Sequence, residues 1–260
     1  MSMILKAGLG AALGALFIDL IGTATNRARI EKALDQEPEY TVRGPLVSVI
    51  VPALEEQTYL PLLLESVVHQ TYRPIEVLIV DSSPPQAKAA TEAVAARYGA
   101  RVIDVPKLGV SIARNRGAEA SKGKVLLFCD ADCIMAQDFI ELLVEELLLG
   151  AVLAHGVDCI YDNFPIAMMW TPWQVVKPAH YTSGRGVAIR RQHFQALGGY
   201  DEACDPMKGY REDLELGGRV IAAYGSERVV LVRDALVGTS ARREEVYGVG
   251  KKLWSSRGVR

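Results

Sequence analysis

Two hydrophobic periods alternate along this chain. Short apolar runs at Leu46 to Val51, Ile75 to Val80, Arg101 to Val105 and Val125 to Phe128 read as strands, being too short for helices and closed by Pro, Asp or Gly. Between them lie segments of helical period. Glu55 to Gln70 puts Leu60, Leu63, Leu64, Val67 and Val68 on one face, with Pro61 early enough to be tolerated. Gln86 to Tyr98 is Ala-rich and stopped by Gly99, and Ser111 to Ser121 is a polar helix carrying Arg114 and Asn115. Such alternation predicts an α/β fold with a mostly parallel central sheet covered on both faces.

Beyond Met135 the rhythm loosens. Gln137 to Leu149 is an amphipathic helix capped by Gly150, followed by a strand over Ala151 to Tyr161. Gly184 to Arg190 is a strand, Gln192 to Leu197 a short helix, Glu212 to Tyr224 a helix opened by acids, and Arg228 to Val232 a last strand. The stretch NFPIAMMWTPWQVVKP, from Asn163 to Pro178, fits no regular period and reads as a loop or short helix. A wall of an acceptor cleft, a hydrophobic lid and a membrane-facing patch all suit it.

At the N-terminus, Ala7 to Thr25 is almost wholly apolar or small, interrupted by Asp19; as a helix it would extend about 28 Å, near the thickness of a bilayer core. The Leu, Ile and Phe residues each favour insertion by about 0.3 to 0.6 kcal/mol, while the Asp costs roughly 2.5 to 3.5, so the sum is close to zero. Gly10 and Gly14 would let a second helix approach, so an oligomer is one option. Membrane association through residues 4–25 and a helix packed on protein both satisfy the pattern, and Arg27, Arg29 and Lys32 favour a cytoplasmic location for the rest of the chain. The expected location is the cytoplasmic face of a membrane, or the cytoplasm. GLGAALG is not a dinucleotide loop, because no β-α-β pattern comes after it. The expected layout is a hydrophobic helix over 1–30, a linker over 31–44, one α/β domain over 45–235 and a basic tail over 236–260.

Composition alters this picture little. Half of the 260 residues are apolar, enough for a substantial core, and the net charge is −2. From Arg228 onward eight Lys/Arg face three Asp/Glu, a basic tail suited to phosphate or anionic lipid. Nucleic acid is excluded, since no base-stacking aromatics are interleaved with the basic residues. Cys129, Cys133, Cys159 and Cys204 have no zinc or C-x-x-C spacing and read as buried packing thiols.

The chemistry concentrates at KVLLFCDADCIM. Its strand delivers Asp130 and Asp132 at the carboxyl end, where α/β sheets collect ligands. Two acids one residue apart offer oxygen to a hard divalent cation without closing a cage, which leaves room for a diphosphate.

Five segments in order, VSVIVPALEE (Val47 to Glu56), QTYRPIEVLIVDSS (Gln70 to Ser83), GVSIARNRGAEASKGKVLLFCDAD (Gly109 to Asp132), GRGVAIRRQHFQALGGYDE (Gly184 to Glu202) and REDLELGGR (Arg211 to Arg219), resemble the inverting nucleotide-sugar glycosyltransferases of family 2. The resemblance implies a single GT-A, Rossmann-like domain that moves a sugar from a UDP- or GDP-sugar to an acceptor hydroxyl or phosphate. It also implies a saccharide or lipid-linked acceptor and Mn²⁺ or Mg²⁺. By the same resemblance Asp81 faces the nucleobase; Pro52, Ala53 and Glu55 line the nucleotide, as does Gly184; Arg114 lies near base or diphosphate. Asp132 ligates the metal and Asp130 sits between metal and ribose. Glu212 and Asp213 open the acceptor-side helix, with Asp213 as general base. A phosphate acceptor would need little base strength, leaving Asp213 only to orient it. Arg242 and Arg243 are expected to add positive charge beside the diphosphate. Ser82 departs from the family's frequent second Asp, and no late histidine completes a metal shell. A nucleotidyl transferase is disfavoured because Pro45 to Glu56 holds no glycine- and lysine-rich phosphate loop; the remaining alternative is a catalytically weak nucleotide-sugar-binding or scaffold protein of the same fold.

Overall fold

The computed structural model describes residues 21–106, 109–204 and 211–242. A helix over 21–35 (α1) leads to β1 (Val42–Ala53), α2 (Leu60–Val68), β2 (Tyr72–Asp81), α3 (Pro85–Arg97), β3 (Arg101–Asp104), α4 (Val110–Ala120) and β4 (Val125–Phe128). Next come β5 (Cys133–Met135), α5 (Phe139–Leu149), β6 (Leu153–Ile160), α6 (Phe164–Val176), β7 (Val187–Arg190), α7 (Arg191–Ala196), α8 (Glu212–Tyr224) and β8 (Val229–Thr239).

These strands form one sheet of order β3-β2-β1-β4-β7-β6-β8-β5. All run the same way except β7 and the short edge strand β5. Both faces are covered, which is why the strands read as unbroken apolar runs. Val47, Val49 and Val51 face α2 and α5, while Ile50 faces α4, and β4 splits Val125 and Leu127 from Leu126 and Phe128 in the same way. Gly117 lets α4 approach closely: a Cβ there would overlap Ile50 and lie 2.9 Å from Val80.

Four expectations need correction. The helix expected from Glu55 starts at Leu60, and Glu55 itself sits at φ 59°, a left-handed conformation that no helix continues. The expected linker begins as helix: α1 continues to residue 35, burying Ile30 and Ala33 against Ile134, Ala136 and Leu236. Arg29 locks it down through Asp138 at 3.1 Å and the Asp234 carbonyl at 2.9 Å. The last strand runs on to Thr239, so a tail boundary at 236 falls inside the sheet, where Leu236 and Val237 are buried. Finally, the aperiodic stretch forms a full helix, α6, whose Asn163 caps the Ile166 amide and which tolerates Pro172 in its interior.

Residues 1–20 of the expected hydrophobic helix and most of the basic tail lie outside the described residues. Among the described residues no helix is long and apolar enough to cross a membrane.

Candidate active site

The parallel strands β1, β2 and β4 end together, and β7 begins at the same edge, with Val187 opposite Phe128 and Asp81 opposite Ala53. The candidate residues collect there in three groups.

The first surrounds Asp81, which is fully buried at the end of β2. Its Oδ1 accepts the Ser83 amide at 2.8 Å, and its Oδ2 has no partner among the described residues. Ser82 donates its amide to the Ala53 carbonyl at 2.9 Å, and Ser83 Oγ accepts the Glu55 amide at 2.7 Å. The left-handed turn at Glu55 is thus tied to the turn after β2. Buried carboxylate oxygens are rarely left unmatched, so Oδ2 marks a place for an incoming donor such as a base N–H.

Arg114 centres the second group. Its side chain is 1% exposed, and its guanidinium donates to Asp130 Oδ1 at 2.9 Å, Glu212 Oε1 at 2.6 Å and the Gly184 carbonyl at 3.3 Å. Tyr200 stacks beneath it at 5.3 Å. Burial works against the arginine's charge, but Tyr200, Glu212 and Asp130 outweigh it and hold its pKa above the ordinary value. A Cβ on Gly184 would collide with the same guanidinium, so this glycine is required by close approach. Arg114 is therefore a bridge between the D-x-D turn and the acids of α8, and it is the side chain that brings Asp130, Glu212 and Gly184 together.

Asp213, next along α8, is also buried, and its carboxylate is saturated. Oδ1 accepts Arg211 Nε at 3.1 Å and the Leu214 amide at 2.8 Å; Oδ2 accepts Arg211 Nη2 at 2.5 Å and the Gly184 amide at 3.0 Å. A carboxylate offers about four lone-pair directions, so one of these partners must leave before Asp213 takes a proton.

In the third group Asp132, 2% exposed, accepts Arg242 Nε at 2.9 Å. Arg242 also donates to Glu56 Oε1 at 2.6 Å and lies over the Tyr59 ring at 4.4 Å. Burial disfavours this cation as well, yet the Glu56 hydrogen bond and the Asp132 charge raise its pKa. Glu56 Oε2 is buried without a partner among the described residues. Neither Glu56 nor Tyr59 was expected here; Glu56 ends the first resembling segment, but the turn that aims it at Arg242 has no local signal. Arg243 lies outside the described residues, and Pro52 pairs with Val80 inside the sheet.

Among the described residues no three His, Cys, Asp or Glu side chains could hold a metal together. A guanidinium already sits on Asp132, which is evidence that this carboxylate faces a cation. The donor set therefore fits a hard divalent ion shared with a diphosphate and water, not a closed protein cage. Cys129 and Cys133 do not join it: among the described residues neither belongs to a cluster that could hold a metal, and burial, reinforced by the Cys129 hydrogen bond, pushes the Cys133 thiol pKa up.

The model of the glycosyl transferase family 2 matches residues 48–214. The chain is similar to the uncharacterized glycosyltransferase Rv0539 of Mycobacterium tuberculosis, 33% identical over 130 residues that make up 50% of this chain and 54% of that protein. It is also similar to the uncharacterized glycosyltransferase EpsJ of Bacillus subtilis, at 34% over 104 residues, 39% of this chain and 30% of EpsJ. The chain thus spans about half or less of these relatives. In structure it resembles the mannosyltransferase PcManGT from Pyrobaculum calidifontis, in complex with GDP-Man and Mn²⁺, at TM-score 0.60 and 21% identity over 96% of this chain and 70% of that one. Glucosyl-3-phosphoglycerate synthase from M. tuberculosis, with Mn²⁺, UDP-glucose and phosphoglyceric acid, matches at TM-score 0.56 and 20% identity over 88% and 81%. At such identities the likeness is one of fold, and the fold is the α/β, mostly parallel architecture of these enzymes.

Proposed function

We propose, from the premise that the chain belongs to glycosyl transferase family 2, that it moves a sugar from a nucleotide-sugar donor to an acceptor hydroxyl or phosphate with inversion. The observation that carries this reading is the convergence of Asp81, Asp130 and Asp132 at the carboxyl ends of neighbouring parallel strands, with Asp81 Oδ2 unmatched among the described residues.

Asp81 and the turn at Ala53 and Glu55 hold the nucleoside. Asp132, with Asp130 behind it, holds Mn²⁺ or Mg²⁺, which supplies Lewis-acid stabilisation of the departing diphosphate. Arg242 gives up its place on Asp132 and turns its charge to the same diphosphate. Arg114 keeps Asp130 and Glu212 in position from within the core. Asp213 orients the acceptor and serves as base once a hydrogen-bond partner has been displaced. The solved relatives bind GDP-Man and UDP-glucose, and a UDP- or GDP-sugar is the donor expected here.

Membrane proximity belongs to the same reading. The described start of α1 lies against α6 through a Thr23–Thr171 hydrogen bond of 2.9 Å, and α6 exposes Met169 and Val176 at 65% and 68%. With the apolar residues 4–20 preceding α1, this face suits a bilayer surface and a lipid-linked acceptor.

Donor hydrolysis and nucleotide binding, measured with added Mn²⁺ or Mg²⁺, test the assignment. Asp132→Ala is expected to lose metal-dependent nucleotide binding, and Asp213→Asn to keep binding while losing turnover onto a hydroxyl acceptor. Full activity in both variants would sink it.

A further inference from the structure

Glu56 has no part in the transfer step above, yet it stands beside the carboxylate assigned to the metal. β1, which leads to Glu56, is the parallel neighbour of β4, which leads to Asp132, with Ile50 opposite Phe128. The chain around Glu56 is fixed by its backbone. Ser83 Oγ accepts the Glu55 amide at 2.7 Å, and the Glu56 carbonyl accepts the amides of Tyr59 and Leu60, each at 3.0 Å.

The Glu56 side chain is 12% exposed and that of Asp132 3%, and the two share one cation. Arg242 donates from Nε to Asp132 Oδ2 at 2.9 Å and from Nη2 to Glu56 Oε1 at 2.6 Å, so one planar guanidinium is divided between two acids. Two carboxylates and one guanidinium leave one negative charge over, and burial makes that excess costly. The excess shows in two further atoms. Glu56 Oε2 and the Tyr161 hydroxyl are both buried with no partner among the described residues. Burial, and then the charges of Asp162 and Asp132, push the pKa of that hydroxyl up. Buried carboxylate oxygens are rarely left unmatched, so Glu56 Oε2 is a free acceptor in a place short of positive charge.

The guanidinium also marks the space. Arg242 is 29% exposed and lies over the Tyr59 ring at 4.4 Å, so its way out leads to water. What it vacates lies between oxygens of two acids. A divalent ion cancels both charges, which a single arginine does not. Hard cations take carboxylate oxygens from separate segments of chain and leave their other positions to water and phosphate.

We propose that Glu56 is a second protein ligand of the divalent cation, sharing it with Asp132 in the place that the Arg242 guanidinium holds. This assignment rests on the glycosyltransferase reading above and adds a residue to its metal site.

Mn²⁺ binding to the full chain, followed by electron paramagnetic resonance without nucleotide and again with UDP or GDP, tests it. Because Glu56 also holds Arg242, the comparison is made in the Arg242→Gln background, where that role is gone. There Glu56→Gln is expected to raise the Kd for Mn²⁺ more than about tenfold, since affinity follows the number of charged ligands, and Asp132→Asn at least as much. If Glu56→Gln does not fold, Glu56→Ala carries the same comparison. An affinity that Glu56→Gln leaves unchanged in both conditions, while Asp132→Asn weakens it, makes Glu56 a support for Arg242 alone and overturns the assignment. The donor site then stands. An affinity that neither substitution changes, or no Mn²⁺ binding to the wild type even with UDP or GDP, overturns the metal site at Asp132 and the Glu56 assignment together.

Discussion

Each aspartate of the D-x-D turn is held by an arginine that also holds a glutamate, and the two bridges are built differently. Asp130 pairs with Arg114 and Glu212 in the interior, where the arginine side chain is 1% exposed. Asp132 and Glu56, themselves largely buried, pair with Arg242, an arginine that is 29% exposed and covered by one tyrosine ring. A sealed bridge has no route by which its arginine can leave, whereas a bridge with a part-exposed arginine can release it into water provided another cation takes its place on the buried carboxylate. Chemical similarity thus conceals a division of labour: one aspartate is anchored as framework, and its neighbour is held by a cation that a metal and diphosphate can replace.

The sharpest way to break this contrast is Arg114→Met. It leaves Asp130 and Glu212 buried without their cation and should cost roughly 3 to 5 kcal/mol in denaturant unfolding, against a smaller loss for Arg242→Met, whose arginine is part-exposed. Equal losses would erase the distinction. Asp132→Asn comes next, with an expected fall in turnover of about 100-fold or more if the carboxylate helps bear the leaving group's charge, and little change in stability. Gly184→Ala should cost about 1 to 3 kcal/mol, because its Cβ intrudes on the Arg114 guanidinium and nothing comparable happens at the open bridge. Smallest is Arg242→Gln. Its stability change should stay within about 1 kcal/mol and shrink with added salt. Mn²⁺ titration without nucleotide, monitored by electron paramagnetic resonance, should show tighter binding in this variant, since the competing guanidinium is gone; weaker binding would make Arg242 a helper of the metal instead of its placeholder.

Much of the first half was legible. Strands ending at Asp81 and Phe128 showed as apolar runs with acids at or just beyond their ends, because covered parallel strands have no polar face to interrupt them. The helix at Glu212 showed through its acidic first turn. The second half was harder. α6 hid because Pro165 and Pro172 and its aromatics break the usual helical signals, and packing on β6 overrode propensity. Glu56 was mistaken for part of a helix, since nothing local announces the left-handed turn at Glu55.

By itself the sequence determined the α/β class, the family and the identity of the acids at the strand ends, since these depend on period and on short motifs whose geometry is local. Tertiary structure alone decided what those acids touch. Arg114 meets Glu212 across 98 positions of chain and Arg242 meets Glu56 across 186, so their charge state, burial and readiness to exchange partners come from packing and not from neighbours in sequence.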